Sequence, residues 1–479
     1  MCQYRRMLDR LSAVDASLLY LEDQATPMHI GGVAVFRRPR SGFDYDRLVG
    51  LIERRLDLVP RYRRRVLPVP GRLARPVWAD DPRFDITYHV RRSALPEPGG
   101  DEQLHDLVAR LMSKPLDQTR PLWEVYLVEG LARGRFALVT KSHQALVDGV
   151  GTIDLSQVIL ETAPPPAETM DGEWVPRHQP SPAQLLFDAV TETVRQPKEI
   201  VENVRAVVTD AQATMRKVAS TVGGVVSAVG TAAKAAATGT PARPLNVPIS
   251  PQRRFAVVRT SLEDYRRIRA EHGGTINDAV LATVAGGLRS WLRSRGEVVT
   301  SGTTLRALVP LAIREHESDP LVPGLLDSKV YPKLVKLPVG VPGAVMRLHQ
   351  IGHSMRAHNG SGHKVAADAL LRISGFAPPT LHSLGARAAS SFSRRCFNVL
   401  ITNVPGPQVP MYVGAARMTE MFPVVPLAAR NQALAIGVTS YQGNVYFGLY
   451  GDRAAMSDGD VLARMIEESL EELTGTVRV

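Results

Sequence analysis

Cysteine is nearly absent: Cys2 and Cys396 are the two in 479 residues. They lie too far apart for a metal motif and are too few for a disulfide framework, so a reducing compartment and the cytoplasmic side are expected. Long apolar runs are also missing. No stretch approaches the roughly 18 uncharged apolar residues needed to span a bilayer, and Met1 to Arg10 carries charge without the apolar core of a secretion signal. The chain reads as neither secreted nor threaded through a membrane. Aromatic residues are scarce at 6%, and no nucleic-acid-binding module accompanies the positive charge, which argues against nucleic acid as a partner. The Walker phosphate loop, the GxSxG nucleophile elbow and the HExxH zinc motif are all absent. Gly149 and Gly151 form half of a dinucleotide fingerprint without its third glycine. His353, His358 and His363 fall five apart in a glycine- and arginine-containing stretch, so neither a metal nor a resident cofactor is expected.

What remains is a chain that is 44% hydrophobic and 22% charged, long enough for two domains. Its net charge of +11 and pI near 9.8 imply an anionic partner, such as a phosphorylated cofactor or an acidic lipid surface. Arginines concentrate at Arg54, Arg55, Arg61, Arg63, Arg64 and Arg65, with Arg72 and Arg75 just beyond. That run reads equally as a solvated helix end or as a contact for phosphate or lipid headgroups.

Residues Gly31 to Phe36 form a β-prone run, helical spacing is predicted from Asp44 to Leu56 and from Asp101 to Met112, and strands at Trp123 to Val128 and Phe136 to Lys141. These elements define a first α/β domain over residues 1–165. Pro164, Pro165 and Pro166 open a connector over 166–250 that Pro241, Pro244 and Pro248 close. Inside it, a stripe from Ile200 through Met215 to Val229 predicts a long amphipathic helix. That helix either packs across the two domains or docks on a lipid surface with Arg205, Arg216 and Lys217. A second α/β domain, 251–479, is predicted to hold a helix from Asn277 to Leu292 capped by Thr275. Its strands are expected at Leu305 to Pro310, Phe397 to Thr402, Ala433 to Ser440 and Asn444 to Tyr450, and a helix over 459–474 closes it. A cleft between the two halves is the default ligand site.

The remaining reactive constellation is Lys141-Ser142-His143-Gln144-Ala145-Leu146-Val147-Asp148-Gly149. It follows a strand and precedes a helical stretch from Thr152 to Leu160, a junction where side chains face clefts. A neutral imidazole there can deprotonate an alcohol attacking a thioester, with a nearby carboxylate fixing its orientation. Read alone, a histidine beside Asp-Gly is more often a hydrogen-bonded turn.

Other segments add to this centre. The opening Leu11-Ser12-Ala13-Val14-Asp15, then Pro27-Met28-His29-Ile30-Gly31-Gly32, Pro121-Leu122-Trp123-Glu124, Thr275-Ile276-Asn277-Asp278 and Asn403-Val404-Pro405-Gly406-Pro407 occur in the order of the bacterial wax ester synthase/diacylglycerol acyltransferase family. The chain resembles that family along nearly its whole length, with Met7 as an alternative start. The resemblance implies two pseudo-symmetric α/β domains of the CoA-dependent acyltransferase kind, like chloramphenicol acetyltransferase, with a channel between them. It implies acyl-CoA as one substrate, diacylglycerol or a long-chain alcohol as the other, triacylglycerol or wax ester as product, and peripheral contact with the inner membrane or lipid droplets. A peptide-synthetase condensation domain shares the centre, but the carrier-domain serine motif and the DFGWG-type segment of such relatives are absent.

The family centre is HHxxxDG, whose second histidine is the usual base. Here His143, Asp148 and Gly149 match, while the base position holds Gln144. A glutamine amide has no useful basicity near neutral pH. Three outcomes stay open: acyl transfer with His143 or a water taking the proton, an impaired paralogue that binds acyl-CoA or neutral lipid, or an amine or thiol acceptor that needs no strong base. Asp148 is expected to hold the loop. Asn277 and Asp278 are expected to cap a helix or to make polar contacts in the channel, and Asn403 to aim a donor at the developing oxyanion. The Pro121-Leu122-Trp123 segment is expected to be packing.

Overall fold

The computed structural model describes residues 9–147, 158–162, 174–195, 244–314, 328–357, 397–427 and 431–478. Fourteen strands, numbered in chain order, lie among them. β1 is His29–Arg37, β2 Arg64–Leu67, β3 Val77–Asp80, β4 Val90–Ala94, β5 Trp123–Leu131, β6 Arg135–His143 and β7 Arg253–Ser261. β8 is Leu305–Arg314, β9 Ser328–Leu337, β10 Val399–Val404, β11 Tyr412–Val413, β12 Ala416–Val424, β13 Leu434–Tyr441 and β14 Asn444–Asp452.

Two six-stranded mixed sheets result, in the orders β11-β12-β1-β6-β5-β4 and β7-β14-β13-β10-β8-β9, with β2 and β3 as a separate pair. β5 is buried along most of its length, as befits a near-continuous apolar run covered on both faces. β13 and β14 join through Gln442 and Gly443, whose φ values of 43° and 79° fit a two-residue hairpin turn.

The predicted helices that fall on described residues form where periodicity places them, and Ala13–Leu21, Leu262–His272 and Ala344–Ala357 are helices that it did not single out. Tyr45–Arg55 starts at Asp44, whose carboxylate accepts from Arg47 N, and turns Leu48, Leu51 and Ile52 inward. Asp101–Ser113 buries Leu104, Leu107, Val108 and Met112. Ile276–Ser294 begins at the expected Thr275 cap and is buried around most of its circumference. It packs with Gly459–Thr474 against the second sheet, sharing one core with Val258, Val399 and Ile436.

The two halves are interlocked. β12 lies in the C-terminal part of the chain yet pairs antiparallel with β1, Val33 opposite Phe422, and so completes the first sheet. Pro423 of that strand lies over Gly448 of β14, where a Cβ would overlap the Pro423 carbonyl oxygen. Gly448→Ala is therefore expected to push the second sheet off β12 and cost about 3 kcal/mol or more in urea unfolding. Gly459→Ala, where the nearest atom to a new Cβ is 3.8 Å away, should change stability by less than about 0.5 kcal/mol. Equal losses in the two variants would refute the close approach.

The conspicuous arginine run is occupied. Arg55 pairs with Glu161, Arg63 with Asp57, and Arg64 with Asp9 at 2.7 Å and Asp80 at 3.1 Å. Arg65 reaches Gln179 at 2.9 Å, and the Arg61 guanidinium lies 5.4 Å from the Trp78 ring centre. Three of these five are thus ion-paired within the fold, one is hydrogen-bonded and one is stacked on a ring, an arrangement that neither the solvated helix end nor the phosphate contact describes. The stripe from Ile200 to Val229, residues 148–157 and most of the connector lie outside the described residues. Among the described residues no helix is long and apolar enough to cross a membrane.

Candidate functional site

His143 is the last residue of β6, paired across the ladder with His29, the first residue of β1. Strand register alone thus sets two imidazoles side by side. The chain then turns into the short helix Gln144–Val147. Two backbone bonds pin the turn: His143 N donates to Leu122 O and Gln144 N to Met28 O, each at 2.9 Å.

His143 is fully buried, and its Nδ1 accepts from Ala145 N at 3.0 Å. The neutral ring therefore carries its proton on Nε2, which has no hydrogen-bond partner and lies 3.6 Å from Glu22 Oε2. Burial holds this imidazole at a pKa of about 4, so it is neutral at pH 7. Burial shifts Glu22 the other way, raising its proton affinity against bonds from Gln118 Nε2 at 2.7 Å and Met28 N at 3.1 Å.

Lys141, one β-step pair before His143 and on the same face, is buried with its ammonium donating to Leu111 O, Lys114 O and Glu124 Oε2. It ties β6 to the end of the helix Asp101–Ser113. His29 Nε2 lies 2.6 Å from Met112 O, the carbonyl that also accepts from Tyr450 Oη of β14 at 2.9 Å. The second sheet thus reaches the histidine cluster through Tyr450. Burial depresses the His29 pKa well below its ordinary value.

From Gln144 to Leu146, Gln144 is the residue with solvent access, being half-buried while Ala145 and Leu146 are enclosed. The backbone presents the side chain at 144 and tucks the one at 143 behind it. Asp148 and Gly149 lie outside the described residues.

The C-terminal candidates divide. Asn277 and Asn403, 126 residues apart, meet: Asn403 Nδ2 donates to Asn277 Oδ1 at 2.9 Å, joining a helix start to the end of β10. Asp278 closes the helix cap, with Oδ2 accepting from Thr275 N at 2.9 Å and its own N donating to Thr275 Oγ1 at 3.1 Å. Capping thus occupies one of its carboxylate oxygens. Leu122 and Trp123 are fully buried, with Trp123 Nε1 donating to Tyr62 O at 2.7 Å, so this segment is packing as expected.

Glu22, His29 and Tyr450 were not singled out in the sequence. His29 stood in a quoted motif, but register with His143 is a long-range fact. Glu22 carried no signal beyond being one acidic residue among many.

Residues 11–280 match the wax ester synthase/diacylglycerol acyltransferase catalytic domain, and residues 330–474 the corresponding C-terminal domain. A probable diacylglycerol O-acyltransferase of Mycobacterium tuberculosis, tgs3, is 47% identical over 266 residues, covering 56% of this chain and 97% of that protein. A second from the same organism, tgs2, is 32% identical over 98% of this chain and 100% of its own length. The solved wax ester synthase/diacylglycerol acyltransferase of Marinobacter aquaeolei VT8 is 27% identical, with a TM-score of 0.66 over 97% of this chain and 98% of that one. The first condensation domain of the calcium-dependent antibiotic synthetase, 14% identical with a TM-score of 0.54 over 99% of this chain and 98% of that one, shares the fold alone. The expected two-domain α/β fold of CoA-dependent acyltransferases is the one observed.

Proposed function

The chain belongs to the wax ester synthase/diacylglycerol acyltransferase family, and from that premise we propose that it transfers an acyl group from acyl-CoA to the free hydroxyl of diacylglycerol, making triacylglycerol. The hydroxyl oxygen attacks the thioester carbonyl, the C–S bond breaks, and the alcohol proton ends on the CoA sulfur. The thioester is already activated, so no covalent enzyme intermediate and no resident cofactor are called for. The supporting observation is that residue 144 has solvent access while His143, Ala145 and Leu146 beside it are enclosed, in a turn pinned by backbone bonds.

Within this reading the roles follow from placement. Gln144 hydrogen-bonds the incoming hydroxyl and a water that takes up its proton. His143, kept neutral and facing Glu22, positions the turn. Asp148 and Gly149 continue the same loop, as in the family pattern. The Asn403–Asn277 pair contributes an amide donor to the channel. Diacylglycerol is a membrane lipid, so access to it requires peripheral contact with a membrane or lipid droplet, with the basic surface favouring an anionic one.

The test is direct. Purified protein with labelled oleoyl-CoA and diolein should form triacylglycerol above a no-enzyme blank, and a parallel reaction with hexadecanol measures wax ester. No product from either acceptor, with acyl-CoA binding intact, would overturn the reading. His143→Ala should lower kcat by about 10- to 100-fold, since a misplaced reacting group costs up to about that factor. An unchanged kcat would remove His143 from the site.

A further inference from the structure

At the end of β6 opposite His143, a cavity of about 420 Å³ opens between the sheets. Arg37 from the end of β1, Arg133 from the β5–β6 turn, Arg135 from the start of β6 and Arg259 from β7 all line it. The eight-residue step along β6 puts it roughly 26 Å from His143, a separation that makes it a distinct site.

Two of the four arginines are anchored. Arg135 donates to Asp101 Oδ1 at 2.9 Å. Arg259 donates to Glu420 Oε1 at 2.7 Å, approaches Asp101 Oδ2 at 3.3 Å and lies 4.8 Å from the Phe422 ring centre. Arg37 and Arg133 have no acidic partner among the described residues. Arg133 also sits at φ 61°, a conformation that disfavours a residue with a Cβ. Four guanidinium groups against the carboxylates of Asp101 and Glu420 leave an excess of two positive charges. A phosphomonoester carries about −1.5 to −2 at neutral pH and offers three acceptor oxygens, which matches that excess and the forked donors better than a singly charged diester does.

We propose that this cavity binds a phosphomonoester group. The anchored pair, Arg135 and Arg259, fixes the walls, and the free pair, Arg37 and Arg133, closes on the ligand. Two sources present that chemistry to this chain: a soluble nucleotide phosphate such as the 3′-phosphate of a CoA-type adenosine, and the headgroup of phosphatidate in a membrane. The assignment does not depend on the acyl-transfer reading, because it rests on a different end of the sheet and is read by binding.

The experiment uses the full-length protein at constant ionic strength set with sodium chloride. Binding is measured for inorganic phosphate, for adenosine 3′,5′-bisphosphate, and for phosphatidylcholine vesicles with and without phosphatidate. The comparison is Arg37→Gln/Arg133→Gly, which removes two exposed, unpaired guanidiniums and gives position 133 a residue suited to its positive φ. Its thermal unfolding should match that of the wild type. At least one phosphomonoester probe should bind the wild type and bind the double variant about tenfold or more weakly. A response to both soluble probes assigns the nucleotide source, and a response confined to phosphatidate vesicles assigns the headgroup. Binding that is equal in wild type and variant, or absent for every probe, would overturn the proposal.

Discussion

Replacing Gln144 with histidine is expected to raise kcat for triacylglycerol formation by about 100- to 10,000-fold, the usual worth of a positioned general base. The structure gives reasons for an increase. The backbone N–H of Gln144 is already bonded to Met28 O, and the neighbouring His143 is already sealed behind it. The substitution therefore alters a half-buried side chain without asking the turn to move. A histidine there, less enclosed than His143, would sit closer to the ordinary imidazole range than the value of about 4 that burial imposes on its neighbour. It would then be a competent base near pH 7, and the rate should acquire a dependence on a group titrating near neutrality that the wild type lacks. Steady-state kinetics with oleoyl-CoA and diolein across pH 5.5 to 8.5 would check both. An unchanged kcat would mean that residue 144 does not face the reacting hydroxyl.

The second large effect is on stability. Burial is the first cause that holds His89 and His143 each near pKa 4, against an ordinary 6.5. In the unfolded chain both take up protons near 6.5, and in the folded chain they resist until about 4. The unfolded state thus binds more protons throughout that window, and stability must fall as pH falls through it. Together the two histidines are expected to remove roughly 5 kcal/mol by pH 4.5, a large share of an ordinary domain's stability. His105 and His29 act in the same direction. Glu22 and Asp15 act against it, because burial raises both and the folded state holds their protons more readily as pH drops. Urea unfolding at pH 7.5, 6, 5 and 4.5 should show the decline, and His89→Phe should make it shallower. A flat profile between pH 6.5 and 5 would contradict the neutral burial of these rings.

Legibility from sequence followed the range of the interactions. The helix Ile276–Ser294, its Thr275 cap and the Gln442–Gly443 turn were readable because each depends on residues within a few positions of one another. β12 was not. Its pairing partner is nearly four hundred residues away, and Ala416–Val424 mixes charged, polar and apolar side chains, matching its only partial burial. At the site, the strand-to-helix junction at residues 143 and 144 was legible as text. That one of the two is enclosed and the other accessible depends on the strand end and the turn. The pairing of Asn277 with Asn403 shows the same limit: both were named, but nothing local joined them. The arginine run misled in the other direction, since charge density along the chain says nothing about which carboxylates fold back onto it.

The pairing of β12 with β1 also bears on how the polypeptide is made. Val33 leaves the ribosome 389 residues before Phe422, its neighbour in the sheet. At translation rates of about 5–20 residues per second, the N-terminal half waits roughly 20–80 s with one side of β1 open. An open strand edge is a template for pairing with other chains. During that interval the nascent chain depends on dilution or on a chaperone to keep neighbouring copies apart. Expression that is slow or crowded should accordingly yield aggregates built on the N-terminal sheet, while the completed chain closes that edge with its own residues.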